Sequence, residues 1–316
     1  MNPTHCKTSL DPISRRNFLA ISGAVPAALL AQAGLPGAFA VSASAADAIA
    51  ATKPKKYPIG LELFSVRTEL ARDLPNTLKT VAKIGYELVE FYAPYYGWSI
   101  PYAKDVRTQM DDLGIRCYST HNHIESFTPG DGMGKAIELN QILGGKIIVL
   151  ATAPNGTRSL NDWRKLCEKL TDASDQLKPH GLAAGFHNHQ TEWGPLDGKL
   201  RTMDVLAANT PKEFVLQLDV GTCVEAGADP VAWINANPGR IRVIHLKDWA
   251  PGADADEKGF RVLFGEGVTP WKELLAAAEA TGGVEYYLME QESSRFPEFE
   301  TAQRCLDAWK TMRQNA

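Results

Sequence analysis

From residue 59 onward the chain alternates short runs rich in β-branched and apolar residues with longer stretches in which apolar positions recur every three or four residues. The short runs predict strands over 59–64, 88–92, 116–120, 146–151, 183–187, 214–219, 242–246 and 286–290. The longer stretches predict helices. Over 75–84, Leu78, Val81 and Ala82 share a face; over 161–177, Trp163, Leu166, Leu170 and Leu177 do. Glycines stand where helices must turn back toward strands, at Gly85, Gly114, Gly144-Gly145, Gly181, Gly239 and Gly282-Gly283, the place for a left-handed C-cap. Eight consecutive strand–helix rounds predict an α/β fold of the (β/α)8 TIM-barrel type, with a closed parallel sheet. An open doubly wound sheet fits less well, because no G-x-G-x-x-G follows the first strand.

The N-terminal segment has a different pattern. Ser14-Arg15-Arg16-Asn17-Phe18-Leu19 is a twin-arginine motif, and an Ala/Leu-rich apolar stretch follows it to Leu35. Small-x-small cleavage sites come next, at Ala38-Phe39-Ala40 and Ala43-Ser44-Ala45. The expected organisation is a twin-arginine signal peptide at 1–45, a linker at 46–57 and a single catalytic barrel at 58–316. A periplasmic location follows, with an uncleaved N-terminal anchor as the alternative. Beyond the signal no apolar run approaches the roughly 20 residues of a bilayer span, so no stable membrane insertion is expected after signal removal.

Composition narrows the partners. The 316 residues are 44% hydrophobic and 22% charged, the balance of a soluble globular chain. Lys plus Arg is 33 against 37 for Asp plus Glu, a formal charge of -4, so no positive surplus is available to hold nucleic acid. Cys117, Cys167, Cys223 and Cys305 are widely spaced and form no C-x-x-C, which reads as buried thiols.

A barrel of this type carries its chemistry at the carboxyl ends of the strands. Read in order, those ends hold Glu62 and Ser65, Glu90, His121 and His123, Thr152, His187 and His189, Asp219, His245 with Lys247 and Asp248, and Glu290 with Glu292. Five of the chain's seven histidines fall there. Imidazoles and carboxylates converging on one rim lose solvation unless something neutralises them, and a cation does so. One divalent ion, Mn, Zn, Co or Mg, in a mixed N and O site is therefore expected. Phe64, Tyr92, Tyr95, Tyr96, Trp98, Trp193, Trp249 and Phe264 crowd the same rim, which suits a small carbohydrate or cyclitol; the competing reading is that long loops bury their own aromatics. Trp163, Trp233 and Trp309 sit on helix faces and read as packing.

Eight segments together resemble the sugar phosphate isomerase/epimerase group of xylose isomerase-like TIM barrels. They are Gly60-Leu-Glu-Leu-Phe-Ser-Val-Arg67, Ile84-Gly-Tyr-Glu-Leu-Val-Glu-Phe91, Phe186-His-Asn-His-Gln-Thr-Glu-Trp193, Leu218-Asp-Val-Gly221, Ala226-Gly-Ala-Asp-Pro230, His245-Leu-Lys-Asp248, Phe264-Gly-Glu-Gly267 and Leu288-Met-Glu-Gln-Glu292. The resemblance implies a divalent metal held from strands five to eight, with Asp219, His245 and Glu290 matching three ligand positions. At the strand-five position His187-Asn188-His189 stands where many members have a glutamate. His187 is assigned to it, with His189 and Glu192 as alternatives. The epimerases of this group are thought to use two metal-bound glutamates, and here one is missing. Glu290 is then the base, and Lys247, Glu192 or His189 the proton donor or hydroxyl clamp. Glu90 and His121 would shape the substrate pocket with Phe64, Trp98 and Trp193.

The His-Asn-His strand is also similar to the inosose dehydratase branch. The expected activity is isomerisation or epimerisation by proton abstraction beside a carbonyl, with a lyase of the inosose dehydratase or 3-keto-glycoside type as the alternative. A non-catalytic periplasmic sugar-binding protein is a further alternative, and a homodimer is left open. An abasic-site nuclease is disfavoured by charge, export signal and shortage of ligands. In the loop after strand seven, where barrels often bind phosphate, Glu266 between two glycines would repel a dianion. An unphosphorylated keto-sugar, keto-glycoside or cyclitol is therefore expected.

Overall fold

Alternate residues of eight parallel strands face one another across a common axis in the computed structural model, which describes residues 56–198, 200–252 and 259–314. The strands are β1 (Ile59–Glu62), β2 (Leu88–Phe91), β3 (Arg116–Asn122), β4 (Ile147–Leu150), β5 (Ala183–His187), β6 (Val215–Asp219), β7 (Val243–Leu246) and β8 (Tyr286–Met289). Each pairs with its sequence neighbour, and β8 closes the barrel onto β1 with Ile59 opposite Tyr287. This is the (β/α)8 barrel that the pattern predicts. The expected signal peptide and nearly all of the expected linker lie outside the described residues. Among the described residues no helix is long and apolar enough to cross a membrane.

Strand ends differ from expectation by one or two residues, with local causes. β1 stops at Glu62 because a 3-10 turn, Leu63–Val66, begins there, and the Phe64 amide donates to Glu62 Oε2 at 2.6 Å. β3 runs on to Asn122 because His121 and Asn122 find partners in Val149 and Leu150. The helices follow their capping signals. Leu74–Ile84 starts at Asp73, whose carboxylate accepts from the Asn76 amide, and ends on Gly85 with φ 111°. Leu160–Leu177 opens with a reciprocal Ser159–Asp162 cap.

The period of two along each strand sorts side chains into layers. Val89, Ile148, Phe186, Leu216, Leu218, Ile244 and Met289 point outward into the core shared with the helices. Leu88, Ile147, Val149, Val215, Val243, Tyr286 and Leu288 fill the lower half of the interior. The next inward positions toward the carboxyl ends are polar: Glu62, Glu90, His121, His187, Gln217, Asp219, His245 and Glu290, all buried. The apolar plug thus forms the floor of a polar mouth. Cys117, Cys167, Cys223 and Cys305 are buried free thiols, as their spacing suggests.

Gly60 is required by packing in this floor. A Cβ there would lie 2.6 Å from Leu288 Cδ2 and 2.7 Å from Leu88 Cβ, well inside contact distance. Gly60→Ala is expected to cost about 1–3 kcal/mol through overpacking. Urea denaturation followed by circular dichroism checks this, and an unchanged midpoint would count against the packing argument.

Candidate active site

The polar layer is tied together by one hydrogen-bonded chain across the barrel axis. Gln217 on β6 donates from Nε2 to Glu90 Oε1 on β2 at 2.9 Å. Its Oε1 lies 2.7 Å from His121 Nε2 and 3.2 Å from His187 Nδ1. Glu90 Oε2 is 2.8 Å from His245 Nε2, and the other ring nitrogen of His245, Nδ1, is 2.8 Å from Glu290 Oε2. The His121 and His245 rings stack, with centroids 5.2 Å apart and planes inclined by 13°. His187 lies 4.7 Å from each of them, ring to ring.

Asp219 sits beside this chain in an unusual state. Its Oδ1 accepts from the Thr222 amide at 2.9 Å, but its buried Oδ2 has no hydrogen-bond partner. Lys247 Nζ is 3.5 Å from that oxygen and His187 Nε2 is 3.8 Å from it. Lys247 is paired with Glu292 and lies over the Phe260 ring. Asn188 locks β5 to β6 by accepting from the Asp219 amide and donating to the Asp219 carbonyl and Thr222 Oγ1.

Burial and charge set the protonation pattern. Burial opposes ionisation of Glu90, but the His121 and His245 rings overcome it and hold the carboxyl down at about 2. Burial also works against charge on His245, yet Glu90 and Glu290 on its two nitrogens raise it well above an ordinary histidine, so the ring is an imidazolium bonded on both sides. His187 goes the other way: burial, with His245 and His121 adding to it, keeps it neutral. Glu290 stays ionised despite burial because Lys247 and His245 face it. Asp219 is pushed up to about 6 by burial, with Lys247 pulling against it and Glu290 adding to the rise. Burial, reinforced by Glu290 and Glu90, raises Glu62 well above the usual carboxylate range.

His187, Asp219 and Glu290 each offer a ligand atom within 4.8 Å of the other two. A neutral imidazole, an ionised carboxylate and a buried carboxylate oxygen without a partner form a mixed N and O donor set that fits a divalent cation. His245, the fourth expected ligand, groups with His121 and His187 instead, its two nitrogens directed at Glu90 and Glu290. A further group joins Glu62, Glu90 and His121.

Other expected site residues are placed differently. The His189 ring is 5.0 Å from His187, and its amide donates to Glu192 Oε2 at 2.8 Å. The Glu192 carboxylate also accepts from the Thr191 hydroxyl, so it props the short helix Gln190–Trp193. Trp98 packs edge-on against Phe91, Tyr95 and Tyr102, and Trp193 against Trp233. Phe64 lies between Tyr92 and the Arg67 guanidinium. Among the described residues no ring contact or hydrogen bond joins Trp98 or Trp193 to the histidine–carboxylate chain. Gln217 was missed as a site residue; its signal in the sequence is that it shares the inward face of β6 with Val215 and Asp219.

The loop after β7 is organised by a single carboxylate. Asp248 accepts from the amides of Trp249, Gly265 and Gly267, from the Thr269 hydroxyl and from the Trp271 indole. The Trp249, Gly265 and Gly267 amides are thereby occupied. Glu266 points instead to Arg295, which donates to both of its oxygens.

Barrel and site together define a class. The chain belongs to the xylose isomerase-like TIM barrel family, whose profile matches residues 78–312. It is 23% identical over 205 residues to an inosose dehydratase of Lacticaseibacillus casei, covering 55% of this chain and 68% of that protein. Its fold is similar to a sugar phosphate isomerase/epimerase from Parabacteroides distasonis ATCC 8503, with a TM-score of 0.68, 22% identity and coverage of 81% of this chain and 94% of the other. The IOLI protein, solved with a zinc atom bound, aligns with a TM-score of 0.62 and 16% identity over 80% of this chain and 96% of its own.

The Glu90 network makes stability pH-dependent with a definite sign. A carboxyl held at about 2 in the fold, below its ordinary 4.5, contributes stability that is complete above the unfolded value and lost as pH falls through the folded one. In the metal-free protein Glu90→Gln is expected to cost about 3 kcal/mol near neutral pH, since it leaves the His245 charge short of a partner. That cost should shrink as pH is lowered from about 5 toward 2. Denaturant titrations of both proteins across this range check it; a cost independent of pH would contradict the assignment.

Proposed function

We propose that the protein is a divalent-metal-dependent isomerase or epimerase that removes a proton beside the carbonyl of an unphosphorylated keto-sugar, keto-glycoside or cyclitol. The observation that carries this reading is the buried Asp219 oxygen that accepts no hydrogen bond, grouped with His187 and Glu290 at the carboxyl end of the barrel. These three residues would hold the cation, with His245 bonded to Glu290 beside them. A divalent cation in such a site polarises a carbonyl and supports the negative charge that develops on its oxygen. The zinc of the IOLI structure belongs to that protein and supports a metal in this one.

The chain's own groups then divide the proton work. Glu290 is ionised, and His245 Nδ1–H holds its Oε2, leaving the other oxygen to accept a proton from carbon. A carboxylate so stabilised is a weak base. It suffices only for a C–H acidified by a polarised neighbouring carbonyl. Lys247, cationic and anchored by Glu292, is placed to donate to a substrate hydroxyl or to the developing oxyanion. His189, half-buried next to His187, is the second candidate donor, and Glu192 positions it through its amide.

One observation favours elimination as a second reading. β5 presents an imidazole, His187, where a second carboxylate base would make proton transfer symmetric. With Glu290 as the only base, loss of the α-proton is followed naturally by departure of the β-substituent. The C–H pair becomes the new C=C bond, the C–O bond breaks, and Lys247 or His189 protonates the leaving oxygen. The similarity to an inosose dehydratase supports this reading. The occupied Gly265 and Gly267 amides support a substrate without phosphate. The Ser14-Arg15-Arg16-Asn17-Phe18-Leu19 pattern supports export of the folded enzyme to the periplasm.

Proton NMR in deuterated buffer with Mn2+ and a panel of keto-sugars, keto-glycosides and cyclitols tests this. Exchange of the α-hydrogen is expected, with product spectra separating isomerisation from elimination. Glu290→Gln should lower exchange by about 10²–10⁴-fold. Exhaustive chelation should abolish turnover and added metal restore it. Turnover that survives chelation would sink the proposal, and activity confined to phosphorylated sugars would sink the substrate class.

A further inference from the structure

Gln217 is a buried group that touches side chains from three other strands of the polar mouth, and its chemistry constrains its neighbours. It is fully buried on β6, between His187 of β5, His121 of β3 and Glu90 of β2. A side-chain amide has one donating and one accepting end. Gln217 Nε2 donates to Glu90 Oε1 at 2.9 Å, as a carboxylate oxygen requires, and Oε1 is left facing the two histidines. An amide oxygen only accepts. His121 Nε2 and His187 Nδ1 must therefore both carry hydrogen. With hydrogen on Nδ1, the ring nitrogen left to act as a ligand is Nε2, which lies 3.8 Å from Asp219 Oδ2, a buried oxygen that accepts no hydrogen bond.

We infer that Gln217 is a positioning residue that fixes His187 in its Nδ1–H tautomer and thereby presents Nε2, together with Asp219 and Glu290, as a preformed ligand set for a divalent cation. The inference rests on the metal reading above and adds to it the residue that selects the ligating atom. The amide acts at two removes as well. By donating to Glu90 Oε1 it orients the carboxylate whose other oxygen holds His245, and His245 in turn holds Glu290. A single amide from β6 thus sets a ligand on one side of the mouth and steadies the base on the other. Hydrophobic packing does not replace it, because an apolar side chain would leave the His187 Nδ1–H and the Glu90 Oε1 facing it buried without the partners they have here.

The test uses the metal-free full-length chain, with ¹⁵N-labelled histidine and long-range ¹H–¹⁵N correlation. In the unaltered protein His187 should show the neutral Nδ1–H tautomer; a neutral Nε2–H pattern overturns the inference. Gln217→Glu keeps an oxygen acceptor toward the histidines and should retain that tautomer. Gln217→Leu removes the acceptor and should lose it, with Zn2+ affinity by calorimetry falling about 10–100-fold. Retention of the tautomer and of full affinity in Gln217→Leu would also overturn it. If Gln217→Leu does not fold, the tautomer in the unaltered protein and in Gln217→Glu still decides the matter. His187→Ala separates the two readings. Loss of Zn2+ binding in that variant with unchanged binding in Gln217→Leu rejects the role of Gln217 and leaves the metal site standing. Unchanged Zn2+ binding in His187→Ala rejects the ligand set itself.

Discussion

Burying ionisable groups on the barrel axis is the constraint on which the rest of this structure depends. Glu62, Glu90, Asp219 and Glu290 lie next to His121, His187, His245 and Lys247 in a space almost closed to water. Unpaired, each charge would cost several kcal/mol. The molecule meets the cost by pairing. His245 is clamped between two carboxylates, Lys247 between Glu292 and Asp219, and Gln217 relays between Glu90 and two imidazoles. Hydrogen bonding is incomplete at Asp219 Oδ2 and at Glu62 Oε1, and the first of these lies within the ligand set of the proposed cation site.

This arrangement separates tasks by depth. The apolar layer of Leu88, Val149, Val215 and Leu288 gives the strands a rigid floor, so that groups one layer above are held by backbone register rather than by loops. The parallel pairing of Leu218 with Ile244 and of Asp219 with His245 sets the separation of those two side chains before any hydrogen bond forms. Loops then decide access. Asp248 accepts from the Trp249, Gly265, Gly267 and Thr269 amides, the Thr269 hydroxyl and the Trp271 indole, so those amides serve internal order. The order of this loop and the occupied state of those amides therefore have one physical origin.

Much of the fold was legible in the chain, for a local reason: period-two runs, helical faces and capping glycines act over a few residues. The strands at 183–187 and the helix over Leu160–Leu177 follow their signals almost to the residue. The candidate site was legible where titratable residues end strands, as for His187, Asp219, His245 and Glu290. It was less legible for Trp98 and Trp193. Their positions after strand ends suggested substrate contact, but the ring contacts they make are with Phe91, Tyr95, Tyr102 and Trp233, partners that strand-end position alone does not specify.

The sequence by itself determined that eight strand–helix rounds close a barrel and that imidazoles and carboxylates meet at one end of it, because alternation and strand-end position are properties of short segments. Only the tertiary structure decided which of those groups pair. Residues 127 positions apart, Glu90 and Gln217, become hydrogen-bond partners through barrel closure alone. The same closure buries one oxygen of Asp219 without a hydrogen-bond donor, between Lys247 and His187, a state set by the distances between strands and recorded nowhere in the order of the residues.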